Sequence, residues 1–369
     1  MKQIFFAGLA VLMALVSYLL LWPVEIDPQQ WEPPVSTGFE GPFEPNQRLT
    51  SLELISLGDI HGPEDVVARR EGNSWQLFVS SQTGDILKID PETKFIEKFA
   101  KTGGVPLGME FDQYGNLIVA DAYKGLLSIA PDGSVSVLTD TFEGAPILYA
   151  DDLDIDEEGV IYFSDASTKF GAEASGSTMN GSVFEIFEHG RTGRVLAYNP
   201  ETNATTLVMD GLSFANGVAI ASDGQSILIN ETGEYRVLRR FVKGPRSGET
   251  EILFENLPGF PDNINRGPAT ASGEATYFLG LAGPRVASVD ALADKPFLRS
   301  VAWRLPDAFK PAAAPYGFVM QFTESGEVIE TWQDPAGAYP VTTGALAPGD
   351  GYLYITSLEA HDLGRRPYP

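Results

Sequence analysis

The chain has 369 residues, with 50 Asp and Glu against 25 Lys and Arg and no Cys. Its net charge of −25 argues against nucleic acid and anionic headgroups as partners, and in the plain reading serves solubility. Without Cys there is no disulfide, thiol nucleophile or zinc-thiolate site, and three His (His61, His189, His361) without metal-ligand spacing do not suggest a transition-metal centre.

Between Lys2 and Glu25 there is no charged residue. Residues 4–22 as a helix would span roughly 28 Å, about one hydrocarbon core. Trp22 ends the run, as interfacial aromatics do. A cleaved signal is the competing reading. The run is long for that, and no small-x-small cleavage site follows. Residues 1–22 are therefore expected to be a single-pass anchor. Lys2 on one side, with Glu25 and Asp27 on the other, places the rest on the periplasmic or extracytoplasmic side. Residues 23–48, rich in Pro and poor in apolar pairs, read as a linker.

From there one phrase recurs. A small or polar pair leads into an apolar run, a turn and a second strand-forming run. The copies begin at Pro63, Pro106, Tyr149, Phe214, Phe260 and Val341. Their second strands fall at 76–79, 116–120, 160–163, 226–229, 275–278 and 352–355. A repeated strand pair at this period predicts one supersecondary unit used six times, a six-bladed β-propeller over residues 49–369. Residues 49–57 are expected to supply the outer strand of the last blade and so close the ring. Two intervals are long. The insertions, 168–189 and 285–315, are expected on the binding face, the second with one or two short helices near 290–293 and 297–303.

A ring brings equivalent positions together. The second polar position reads Glu64, Leu107, Asp151, Asn216, Asp262, Thr343, and the next residue reads Asp65, Gly108, Asp152, Gly217, Asn263, Gly344. Three carboxylates and a carboxamide converging on the channel mouth would repel without a counter-charge. All-oxygen donors favour Ca²⁺, with Mg²⁺ second. The bland alternative is that Asp and Asn merely start strands there. A spare carboxylate, Asp152 or Asp262, could act as base or nucleophile beside the metal.

Several runs carry a resemblance: IVADAYKG at 118–125, IYFSD at 161–165, FANGVA at 214–219, Glu231-Thr232 with Tyr235-Arg236, and LPGFPDNI at 257–264. Together they resemble the strictosidine-synthase-like proteins, which include membrane-anchored adipocyte plasma membrane-associated proteins. The wider superfamily holds gluconolactonases of the senescence-marker type, diisopropyl fluorophosphatase-type enzymes and paraoxonases. The resemblance implies calcium ligands at Glu64, Asp151, Asn216 and Asp262 and an acid/base aspartate at Asp152 or Asp262. Three departures stand out. Asp151 replaces the usual Asn. The Glu that true strictosidine synthases use falls on Gly344, which disfavours that condensation. The paraoxonase His falls on Leu107.

Three functions follow as expectations. The first is a membrane-anchored, metal-dependent hydrolase of small lactones or aryl esters, with an Asp base. The second is a non-catalytic, membrane-tethered scaffold. The third is a carbon–nitrogen bond-forming synthase, disfavoured by Gly344.

Overall fold

The computed structural model describes residues 2–368, without the side chains of Lys2 and Asp307, so the Lys2 charge invoked above lies outside the described residues. Helix α1 (Lys2–Leu21) is followed by six four-stranded antiparallel sheets, the blades of the propeller. The inner strands of blades 1 to 6 are Pro63–Glu71, Pro106–Phe111, Ala150–Ile155, Ala215–Ile220, Gly259–Gly267 and Thr342–Leu346. Each packs against the inner strand of the next blade, and the sixth packs against the first.

Blade 6 is completed by Glu53–Ser56, which pairs antiparallel with Asp362–Pro367. Arg365 locks this closure with two bonds to Glu53, Nε to Oε2 at 3.0 Å and Nη2 to Oε1 at 2.9 Å.

Strand alternation builds the core. Leu77 and Val79 pack toward Tyr354 of blade 6, whereas Phe78 packs toward Met109 and Val119 of blade 2. Both strand faces are thereby buried, which is why 117–120 reads as an unbroken apolar run.

Both insertions connect the second and third strands of their blades, 3 and 5. They therefore rise on the face where the inner strands begin. The first forms α2 (Thr178–Glu188). The Ser177 hydroxyl caps it by accepting from Asn180 N, and His189 ends it in a left-handed conformation at φ 59°. The second forms α3 (Ala287–Asp290) and α4 (Pro296–Trp303).

Residues 23–48, expected as a linker, lie along this face as a strap. Gln29 N donates to Glu188 O, and buried Trp31 stacks on His189 with ring centroids 4.0 Å apart. Arg285 binds Pro34 O, and Asn46 binds Thr331. The strap has a single short 3-10 turn (Gly41–Phe43) and anchors itself by isolated residues, so no periodicity announces it.

Candidate metal centre

Every inner strand carries a register shift at the same place: between Pro63 and Val66, Pro106 and Met109, Ala150 and Leu153, Ala215 and Val218, Pro261 and Ile264, and Thr342 and Ala345. The recurring phrase is thus a β-bulge. It lifts two residues per blade out of the ladder and leaves a backbone N–H without a strand partner.

The first bulged residue of blades 1, 3, 4 and 5 faces a cavity of about 410 Å³. Glu64, Asp151 and Asp262 are buried, and one carboxylate oxygen from each lies within 4.8 Å of the others. Asn216 joins them, its Nδ2 donating to Asp262 Oδ1 at 2.7 Å. Asn263 Nδ2 donates to Glu64 Oε1 at 2.7 Å. Glu64 Oε2 and Asn216 Oδ1 are buried without a hydrogen-bond partner.

The second bulged residue has another task. Asp65 Oδ2 accepts the bulge N–H of Met109 in blade 2 at 2.9 Å, and Asp152 Oδ2 accepts that of Val218 in blade 4 at 2.9 Å. Asp152 Oδ1 accepts from Leu153 N. Asp152 therefore clasps neighbouring blades and is not among the cavity-lining residues, whereas Asp151 and Asp262 are. Gly108, Gly217 and Gly344 occupy this position in the even blades. A Cβ on Gly108 would run into Asp152, and one on Gly344 into Asn265. Acid or amide in odd blades and Gly in even blades is the packing rule of the channel wall.

The electrostatics follow from burial. Glu64 is pushed well above the usual carboxylate range by desolvation, then by Asp65, Asp262 and Asp151. Asp151 is pushed well up by desolvation and by Asp262 and Asp152. Asp262 is raised to about 7 by desolvation, opposed by the Asn216 bond. Two unit charges at this spacing repel by roughly 3–4 kcal/mol at an effective dielectric of 20. A hard cation would remove the repulsion and satisfy the orphaned oxygens. The donor set, three carboxylates and one carboxamide oxygen, fits Ca²⁺.

A pH dependence follows. Below about pH 4 these carboxyls are protonated in both folded and unfolded chains. Above it the unfolded chain ionises, while the folded chain resists until about 6 at Asp65, about 7 at Asp262 and about 8 at Glu110. The folded state then holds the extra protons, so stability is lost as pH rises through that window. We expect the melting temperature of cation-free protein to fall between pH 4.5 and 8, and saturating Ca²⁺ to remove the part of the fall that the cavity carboxylates contribute. Calorimetry at several pH values, with and without chelator, measures both.

Above the carboxylates the cavity is mostly apolar, walled by Leu107, Phe214, Phe260, Val183 and Ile186. Phe214 and Val341, each just ahead of a bulged strand, line it with φ of 58° and 52°. That conformation is unusual for bulky side chains and is held here by the strands that follow. Sequence reasoning missed Glu359 at the rim and Tyr149, whose hydroxyl donates to Thr178 O at 2.8 Å. Tyr149 was readable as the first residue of the third copy, but nothing marked Glu359.

Two family models match the chain: strictosidine synthase over residues 151–245 and the strictosidine synthase-like N-terminal region over 41–89. Protein STRICTOSIDINE SYNTHASE-LIKE 13 of Arabidopsis thaliana is 34% identical over 338 residues, covering 86% of this chain and 77% of the relative. Adipocyte plasma membrane-associated protein of Rattus norvegicus is 30% identical over 382 residues, covering 96% of each. Among solved structures, a gluconolactonase from Xanthomonas campestris has a TM-score of 0.58 at 15% identity, covering 88% of this chain and 92% of its own. A calcium-binding regucalcin from Agrobacterium tumefaciens has a TM-score of 0.57 at 11% identity, covering 85% and 92%. At such identities the two structures share the fold.

Proposed function

This chain belongs to the strictosidine synthase-like family, and we propose that it acts as a membrane-anchored, metal-dependent hydrolase of lactones or aryl esters. The observation that carries the reading is the convergence of Glu64, Asp151, Asp262 and Asn216 beneath an apolar cavity, with two buried acceptors unpartnered. The gluconolactonase and regucalcin likeness agrees with it at the level of fold. Gly344 leaves no side chain for an amine-deprotonating Glu, which weighs against a condensation.

Glu64, Asp151, Asn216 and Asp262 would hold the ion. When bound, a Ca²⁺ there supplies Lewis-acid polarisation of a substrate oxygen. The protein supplies the rest. Asp262 faces the cavity, where a carboxylate is placed to serve as a general base. The bond from Asn216 Nδ2 fixes Asp262 Oδ1 and leaves Oδ2 free to take a proton. In this scheme water oxygen bonds to the ester carbonyl carbon and its proton passes to Asp262. The acyl C–O bond breaks, and Asp262 returns the proton to the leaving alkoxide. The apolar walls bind the organic part of the substrate and limit competing water.

The test is turnover of γ- and δ-lactones, phenyl acetate and an aryl phosphotriester by the full chain, with Ca²⁺ and with chelator. We expect turnover of at least one class, lost with chelator while the fold persists by circular dichroism. No turnover above buffer by the Ca²⁺-loaded protein sinks the hydrolase and leaves the scaffold.

The proposal includes α1 as an uncleaved anchor. Gln3–Leu21 has a mean hydropathy of 2.6 and no buried share, as a span requires. Intact mass of the membrane-extracted protein should include residues 2–22. A mature chain starting near residue 23 would contradict the anchor.

A further inference from the structure

We propose that the face formed by α2, α4 and the turn at Phe309, which meets the cavity through α2 and through Pro311 to Ala313, rests on the same bilayer that α1 enters, so that the cavity draws its substrate from the lipid phase. The substrate class is then a lipophilic, membrane-partitioned ester or lactone. The docking itself stands apart from the hydrolase reading; the substrate clause rests on it.

The first argument is attachment. Arg304, at the end of α4, donates from Nε to Trp22 O at 2.5 Å and from Nη1 to Leu19 O at 3.1 Å. A guanidinium thus caps the C-terminal carbonyls of α1, where a cation is electrostatically favoured. Trp303 Nε1 donates to Glu25 Oε2 at 3.2 Å. Ile26 is buried in one cluster with Phe170, Phe187, Val289 and Trp303, the underside of α2, α3 and α4. From Leu21 to Ile26 the chain can span at most about 18 Å. The anchor therefore has almost no tether, and its end is bonded to α4, which packs through Trp303 on Phe184 and Phe187 of the cavity-lining α2.

The second argument is the surface these helices present. Their inner faces are packed, as Arg299 and Trp303 show for α4. Their outer faces are also apolar: Met179 and Val183 on α2, Phe297 and Leu298 on α4, and Phe309 beside them at 72% exposed. Met179 and Val183 line the cavity as well, so apolar side chains of α2 lead from its mouth to its interior. On the opposite face, at turns leaving the far ends of the strands, the large exposed apolar residues are the separate Phe95 and Tyr114. Large apolar side chains exposed on the elements beside a cavity mark a contact surface.

The third argument is charge. Residues 294–310 hold Lys295, Arg304 and Lys310, with Arg299 buried, against Asp294 and Asp307, in a chain where acids outnumber bases 50 to 25. This stretch lacks the acidic excess of the chain as a whole, although Glu25 and Asp27 follow the anchor directly. An apolar patch, a local loss of negative charge and a bonded membrane helix fit a bilayer better than a protein partner.

The chain has no Cys, so a single introduced thiol is a unique label site. The full chain, reconstituted in phosphatidylcholine vesicles, would carry an environment-sensitive fluorophore at Phe297→Cys, Phe309→Cys or, on the far face, Tyr114→Cys. Labels at 297 and 309 should be quenched by doxyl-labelled phosphatidylcholine several-fold more than the label at 114. Equal quenching at all three sites overturns the docking. So does a label at 297 or 309 that leaves water without lipid quenching, since a second copy of the chain would then cover the face.

A second measurement addresses the substrate. The Phe297→Ser/Phe309→Ser variant should lose about tenfold in kcat/KM on a long-chain ester presented in vesicles, a difference of one decade. It should keep its rate on a short, water-soluble ester. Equal loss on both esters overturns delivery from the lipid. No turnover of either ester by wild type sinks the hydrolase reading and the substrate clause, while the quenching contrast still decides the docking.

Discussion

Replacing Asp262 by Asn should abolish Ca²⁺ binding and hydrolysis while making the cation-free protein more stable. The wild-type carboxyl is raised from 3.8 to about 7 because it is buried. Its ionised form at neutral pH therefore costs the folded state roughly 4 kcal/mol. Asn is nearly isosteric and removes that cost, as well as the repulsion with Glu64 and Asp151. It also removes a charged ligand and the proposed base. We expect Ca²⁺ affinity to fall about a thousandfold, some 4 kcal/mol, and kcat by at least about a hundredfold. Calorimetry should show a higher melting point than wild type in chelator at pH 7.5 and no upward shift on adding Ca²⁺. Asp152→Asn should differ. It replaces one of the two oxygens that accept from Leu153 N and Val218 N by an NH₂ group, so one clasp bond is broken; it should lose about 1–2 kcal/mol of stability and still bind Ca²⁺. The reverse pattern, with the Asp152 variant losing Ca²⁺ and the Asp262 variant keeping it, would exchange their roles.

Gly217→Ala should destabilise the fold by about 3–5 kcal/mol, enough to leave little folded protein. A Cβ there would sit 2.5 Å from the carbonyl oxygen of Asp262 and 2.8 Å from Ile264 N. Both are backbone atoms of the next inner strand and cannot move without opening the ring. Gly224 gives the contrast. It sits in an exposed turn at φ +62° with nothing within 4 Å of a built Cβ, so Ala there should cost only about 1 kcal/mol of backbone strain. Urea denaturation of both variants measures the difference. Equal stability would refute the account in which Gly in even blades makes room for its odd-blade neighbours.

The ring was legible because its signal is repetition. Six copies of one phrase fix blade number, strand pairing and which residues meet at the channel mouth, and the structure brings Glu64, Asp151, Asn216 and Asp262 together there. The bulge was not legible, since a two-residue excursion from the ladder has no period of its own. Its absence from the sequence reading is why Asp152 and Asp262 both stood as candidates for the base. Once the bulge is seen, the first residue turns to the cavity and the second to the neighbouring blade. The α4 region announced itself through Phe297 to Trp303. In α2, Thr178, Asn180, Gly181 and Ser182 are poor helix formers. Packing holds that helix, with Gly181 allowing its close approach to Tyr149. The strap at 23–48 was opaque for a similar reason. Ile26 packs with Trp303, while Trp31, Phe39 and Phe43 join the cluster of Tyr235 and Phe318, and spacing alone says nothing of that.

The central claim is that four oxygen donors at the start of four inner strands hold one hard cation. An anomalous difference map from Ca²⁺-grown crystals tests it most directly. The account predicts a single strong peak about 2.3–2.6 Å from oxygens of Glu64, Asp151, Asn216 and Asp262. No peak at that position at neutral pH, or a calcium peak elsewhere on the molecule with these four side chains bonded only to one another, would contradict it.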